Sequence, residues 1–68
     1  MPMLDLLLMN RADRERADAI AIETRKLYGV GAEDRLHDQA GVATSRRERR
    51  VLLRAAENVQ LHYLQYTM

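Results

Sequence analysis

The 68-residue sequence predicts a small all-α domain, and three observations carry that expectation. Apolar residues recur at the three- and four-residue spacing of a helix rather than in alternation. They are Leu, Ala, Val, Ile and Met, with three Tyr and neither Trp nor Phe, a mixture that suits helices better than sheets. The single proline stands at position 2, so the rest of the chain is free to be helical. The architecture that follows is a small helical hairpin with a short connecting helix, doubled by symmetry into a dimeric four-helix bundle. Residues 1–68 then make one domain, with an apolar N-terminal segment over 1–9 and helices over 11–28, 32–40 and 46–66. The first and last of these helices are expected to be antiparallel.

Each element has a local reason. Asn10 can cap the first helix, Asp13 places negative charge in its first turn, and Gly29 supplies its stop. Ala17, Ile20, Ala21, Thr24, Leu27 and Tyr28 fall on one face of it, with Ile22 off that face. Arg14, Glu15, Asp18, Arg25 and Lys26 lie opposite and are expected to be solvated, with Arg11/Glu15 and Arg14/Asp18 as (i, i+4) pairs. In the short helix Glu33 and Asp34 occupy the first turn, Leu36 and Ala40 share a face, and Gly41 ends it. Ser45 and Glu48 form an S-x-x-E capping box that opens the last helix. There Leu52, Ala55, Ala56, Val59, Tyr63 and Tyr66 keep helical spacing, and Leu53, Leu61 and Leu64 widen the apolar arc to about half the circumference, beyond the usual minimum of about 100°. One neighbouring helix cannot cover so wide an arc.

Composition narrows the function. A chain this short buries a small fraction of its surface and needs very good packing or a partner. With no cysteine, neither a disulfide nor a thiolate zinc site can staple it, which leaves oligomerisation. The apolar run Met3 to Met9 is interrupted by Asp5 and falls far below the roughly 20 residues of a membrane span. It also lacks the basic flank and the small-residue cleavage site of a signal peptide, so a cytoplasmic protein without a membrane is expected.

The segment Gln39-Ala-Gly-Val-Ala-Thr-Ser-Arg46 resembles the turn of helix-turn-helix repressors, where Ala-Gly-Val precedes the recognition helix. Six and nine places after the turn glycine, where that family buries aliphatics, stand Arg47 and Arg50, and the small residue four places before it is replaced by His37. A guanidinium in a core costs several kcal/mol. The resemblance is therefore to the turn and not to the packed motif.

The arginines are the most informative polar feature. Residues 1–45 carry six basic and eight acidic side chains, whereas residues 46–68 carry five and two. Arg46, Arg47, Arg49, Arg50 and Arg54 crowd a helix N-terminus that already presents positive partial charge, which makes them a candidate anion-binding cluster. The competing reading is that Glu33, Asp34 and Asp38 neutralise them. Arg47, Arg50 and Arg54 fall opposite the Leu52/Val59/Tyr63 face and are expected to be exposed and to contribute little to folding.

No catalytic constellation stands out. The glycines are helix punctuation, Ser45 is committed to capping, and Asp34-Arg-Leu-His37 lacks the inward glutamates of a di-metal bundle, so neither a metal nor a cofactor is expected. The function expected is a non-enzymatic protein-interaction module: a regulator, inhibitor or accessory subunit that binds a protein, or itself as a homodimer. Leu4, Leu6, Leu7, Leu8, Leu53, Leu61 and Leu64 are its candidate contact residues, with the N-terminal segment as an interaction element laid on the last helix. The alternative is a nucleic-acid-binding regulator with the arginines on phosphates, disfavoured by a net charge of only +1.

Overall fold

A computed structural model describes the backbone of residues 9–67 and the side chains of residues 9–61. The N-terminal contact residues Leu4, Leu6, Leu7 and Leu8, and the side chain of Leu64, lie outside the described residues. The described chain is helical almost throughout: α1 over Arg11–Tyr28, a single 3-10 turn over Gly29–Gly31, α2 over Ala32–Gly41 and α3 over Arg46–Thr67. No helix among the described residues is long and apolar enough to cross a membrane.

Caps set the boundaries. The Asn10 side chain accepts from the Asp13 backbone N–H at 2.8 Å, satisfying one orphan donor of α1. Ser45 Oγ accepts from the Glu48 N–H at 3.0 Å. Only this half of the expected capping box forms, because the Glu48 carboxylate is drawn across to α1. At the other end of α1, Gly29 takes φ 59° and ψ −125°, a combination open to little but glycine, and its N–H returns to the Arg25 carbonyl. Gly41 differs: it is the last residue of α2, has no positive φ, and passes the C-cap to Val42. Neither glycine has an atom within 4 Å of the position a Cβ would take, so backbone conformation alone decides the outcome of substitution. Gly29→Ala should destabilise by about 1–3 kcal/mol. Gly41→Ala should stabilise by about 0.4–1 kcal/mol. Equal effects in a thermal melt would refute the distinction.

The core is thin and rich in alanine. Ala17, Ala21, Ala32, Ala40, Ala55 and Ala56 are buried along the helix seams, joined by Met9, Leu36, Val51, Leu52 and Val59, and only Leu36 and Val51 among the larger side chains are fully enclosed. The buried face of α1 follows Ala17, Ala21 and Thr24, with Ile20 half-buried, but stops there. Leu27 and Tyr28, placed on that face by periodicity, are exposed, because the chain leaves α1 at Gly29 before α3 or α2 can cover them. Tyr28 instead lies under the Arg35 guanidinium, 4.4 Å from the ring centre.

The two long helices are not the antiparallel pair the sequence suggests. Asp13 bonds to Arg47, Arg16 to Glu48 and Asp18 to Asn58, so partners climb together along both helices. At 1.5 Å per residue, Asp13 to Asp18 spans about 7.5 Å of α1 and Arg47 to Asn58 about 16.5 Å of α3. In antiparallel helices those displacements would add to about 24 Å, beyond the reach of any arginine and aspartate. The helices therefore run in the same sense, and α2 makes the return, packing chiefly on α3. α3 is the element on which both others rest.

Candidate interaction surface

Three polar links tie α1 to α3. Arg47 donates through Nε to both Asp13 oxygens, at 3.2 and 3.0 Å, and through Nη2 to Oδ1 at 2.9 Å. Arg16 donates from both terminal nitrogens to the two Glu48 oxygens at 2.7 Å, a fork-to-fork geometry. Asn58, only 5% exposed, donates to Asp18 Oδ1 at 2.7 Å. Asp18 is thereby turned away from Arg14, its expected partner, whereas the expected Arg11–Glu15 pair forms at 3.1 Å.

These links divide the arginine cluster. Arg47 keeps an exposed side chain, but its guanidinium clamps a carboxylate whose side chain is 12% exposed, so it is part of the fold rather than a spectator. Arg49 donates to the carbonyls of Ala40 and Ala43, at 3.3 and 3.4 Å, and so caps the C-terminal end of α2 where the dipole favours a cation. Arg54 is half-buried and meets Glu57 at 3.1 Å, and Arg50 is half-buried too. The expected full exposure of Arg50 and Arg54 does not hold: both are half-buried beside the groove that Met9 and Leu53 also line. Nor do Glu33, Asp34 and Asp38 supply the neutralising acids: Glu33 meets His37 at 3.7 Å, and the acids that reach arginines of α3 are Asp13 and Glu57. Arg46 and Arg50 are left without an ion pair among the described residues.

The Asp13–Arg47 link shows in the titration of both its partners. The Arg47 guanidinium, by hydrogen bonding and then by charge, holds the Asp13 carboxyl below its ordinary 3.8, against the opposing effect of burial and with help from Arg16 and Arg50. Arg47 and Arg16 are in turn held more firmly protonated by their carboxylates. A carboxyl depressed in the folded state stabilises it above the unfolded value and loses that contribution as pH falls through the folded value. Arg47→Gln should therefore lower the melting temperature at neutral pH by more than removal of the exposed Arg11–Glu15 pair does. Its melting curve should begin to approach that of the unsubstituted protein only as pH falls below 3.8, and meet it below the depressed folded-state value. A gap independent of pH would mean that charge has no part in the link.

Beside these links runs an open groove of about 280 Å³ along one face of α3, walled by Arg46, Arg49, Arg50 and Arg54, with Met9 and Leu53 as its apolar side and Glu57 at the far end. Of the contact residues expected from sequence, Leu53 is 41% exposed beside this groove and Leu61 51% exposed two turns further on. Among the described residues no three His, Asp or Glu side chains converge where a metal ion could sit.

Sequence reasoning missed Asn58 as a buried polar tie and Met9 as a wall of the groove. Asn58 carried a signal, since an amide between Ala55 and Val59 on a buried stripe has to find a partner. Compared with known proteins, the chain matches no family model, no curated protein and no solved structure.

Proposed function

We propose that this chain is a non-enzymatic protein-interaction module, a regulator, inhibitor or accessory subunit, whose contact surface is the outward face of α3 with its bordering arginines. One observation carries the reading: among the described residues, large apolar side chains stay exposed, and two of them, Leu53 and Leu61, lie on α3 beside its arginines. Ile22, Leu27, Tyr28, Val30, Val42, Leu53 and Leu61 are exposed, against Met9, Leu36, Val51, Leu52 and Val59 buried. Single exposed aliphatics need no explanation, but Leu53 and Leu61 beside the arginine-lined groove make a mixed apolar and cationic face on α3, the kind of surface that can receive a partner. Such a surface serves another protein or a second copy, as in the dimeric bundle the sequence suggests, and the absence of cysteine accords with a cytoplasmic setting.

The test compares affinity capture by the unsubstituted protein and by Leu53→Lys/Leu61→Lys, after circular dichroism has established that the fold is retained. A protein held by the first and lost by the second, a copy of the chain itself included, supports the reading. If no protein distinguishes them, the α3 face is not an interaction surface. A second reading, nucleic-acid binding, is favoured only by Arg46 and Arg50 at the start of α3, which have no ion pair among the described residues. It requires that a labelled DNA duplex bind at low salt and dissociate steeply as salt rises.

A further inference from the structure

We propose that the α3 groove receives an acidic segment of a partner protein, with its carboxylates over Arg46, Arg49, Arg50 and Arg54 and an aliphatic side chain on Leu53. This rests on the interaction-module reading above and adds the chemistry of the partner and its direction along the helix.

Charge on this face is out of balance. Arg46, Arg49, Arg50, Leu53, Arg54 and Glu57 follow one another at helical spacing and, with Met9, wall the groove, so four guanidinium groups share one open face with a single carboxylate. That carboxylate is already committed, since Glu57 accepts from Arg54 at 3.1 Å. Arg49 donates to the carbonyls of Ala40 and Ala43, which are neutral groups and leave its charge without an acid. Arg46 is exposed and has no ion pair among the described residues. Arg50 is half-buried and acts on Asp13 through its charge alone, while Arg47 holds the hydrogen bonds to that carboxylate. Arg46 and Arg50, and again Arg50 and Arg54, stand four residues apart and repel each other, and the positive end of the helix adds to that repulsion. Carboxylates brought in from outside relieve both.

The same face favours a polypeptide over a nucleic acid. Leu53 stands among the arginines, 41% exposed, and Leu61 is 51% exposed two turns further on, with Glu57 between them. A continuous run of phosphates would meet the Glu57 carboxylate and leave both leucines without an apolar cover. An acidic polypeptide can end its carboxylates before Glu57 and set aliphatic side chains on Leu53 and Leu61. Its acidic end then lies toward the start of α3 and its apolar end toward Leu61. With a net charge of only +1 the whole chain attracts anions weakly, so recognition is confined to this face.

The test is fluorescence anisotropy on the full chain, with circular dichroism on each variant. The probe is a labelled peptide with a run of glutamates followed by spaced leucines. Its counterparts carry lysine for glutamate or glycine for leucine, and a single-stranded DNA of equal negative charge is measured beside them. The glutamate–leucine peptide should bind and the lysine counterpart should not. The glycine counterpart and the DNA should bind at least about tenfold more weakly, a difference of about 1.4 kcal/mol. Arg46→Glu, at an exposed position, should weaken the first peptide to a similar extent, whereas Lys26→Glu, the same change of net charge on exposed α1 surface, should not. Leu53→Gln, a second variant at an exposed position, should weaken the leucine peptide and leave the glycine one unchanged. The proposal is overturned by a DNA that binds more tightly than the peptide, by equal losses in Arg46→Glu and Lys26→Glu, or by a chain that sediments as a dimer and excludes the peptide. If no peptide binds, it is overturned too, and the interaction-module reading survives only where Leu53→Lys/Leu61→Lys still releases a captured protein.

Discussion

Leu36→Ala should lower the melting temperature more than any other single truncation among the described residues. Leu36 is the largest side chain wholly enclosed by the fold, at 0% exposure, held on α2 against α3 between Ala32 and Ala40. Truncating a buried leucine costs about 2–5 kcal/mol, the upper part of that range applying where the cavity cannot collapse. α2 is only ten residues long and is joined to α3 by a short turn, so it has little freedom to sink into the space left behind. In a domain of this size each kcal/mol moves the midpoint by about 4–8 °C, which places the expected fall between about 8 and 40 °C. Thermal unfolding followed by helical circular dichroism measures it. A fall of a few degrees would show that α2 does not anchor the fold, and that α1 and α3 hold together without it.

How much of this was legible beforehand depends on the range of the interaction. Helix existence and ends were legible, because they rest on neighbours in sequence: Asn10 and Ser45 cap, Gly29 stops, and Leu36 with Ala40 marks the buried face of a helix too short for any other signal. The direction of α1 relative to α3 was not. It turns on Asp13 reaching Arg47 and Arg16 reaching Glu48, residues more than thirty positions apart that also have charged neighbours within a helical turn. Glu48 shows the competition directly: the capping-box role would hold its carboxylate on the Ser45 backbone, and the fork from Arg16 takes it instead.

The arginine cluster was legible as an anomaly and not as a solution. Positive charge at the positive end of α3 is locally unfavourable, which shows that something outside the helix must compensate. Of the five side chains, Arg47 answers to Asp13 of α1 and Arg49 to the carbonyl end of α2, both fixed by tertiary placement. Arg46 has no ion pair among the described residues, and Arg50 acts on Asp13 through its charge alone, without an ion pair. On the apolar side, Leu53 and Leu61 were marked by the excess width of the α3 arc, whereas the exposure of Leu27 depends on where α2 departs.

Ala55→Leu should destabilise the fold although it adds a strong helix former and more apolar surface. Ala55 is fully buried in the middle of α3, and Ala17, Ala21 and Ala56 are buried to nearly the same degree around the same junction. Alanines at these spacings let helix backbones approach closely, so the space at the seam is set by the methyl group. Three further carbons there must push α3 away from its neighbours or take a poor rotamer, at about 1–3 kcal/mol. The displacement would also strain the short Asp18–Asn58 hydrogen bond, which has no long side chain to absorb it. Ala19→Leu is the control, since Ala19 is exposed on α1 and the same chemical change there meets no neighbour. The two variants differ only in position, so a melting temperature lowered at 55 and unchanged at 19 assigns the effect to close packing at the helix junction. A stabilised Ala55→Leu would mean that the seam holds unfilled space, and that the alanine-rich core is loose rather than tightly apposed.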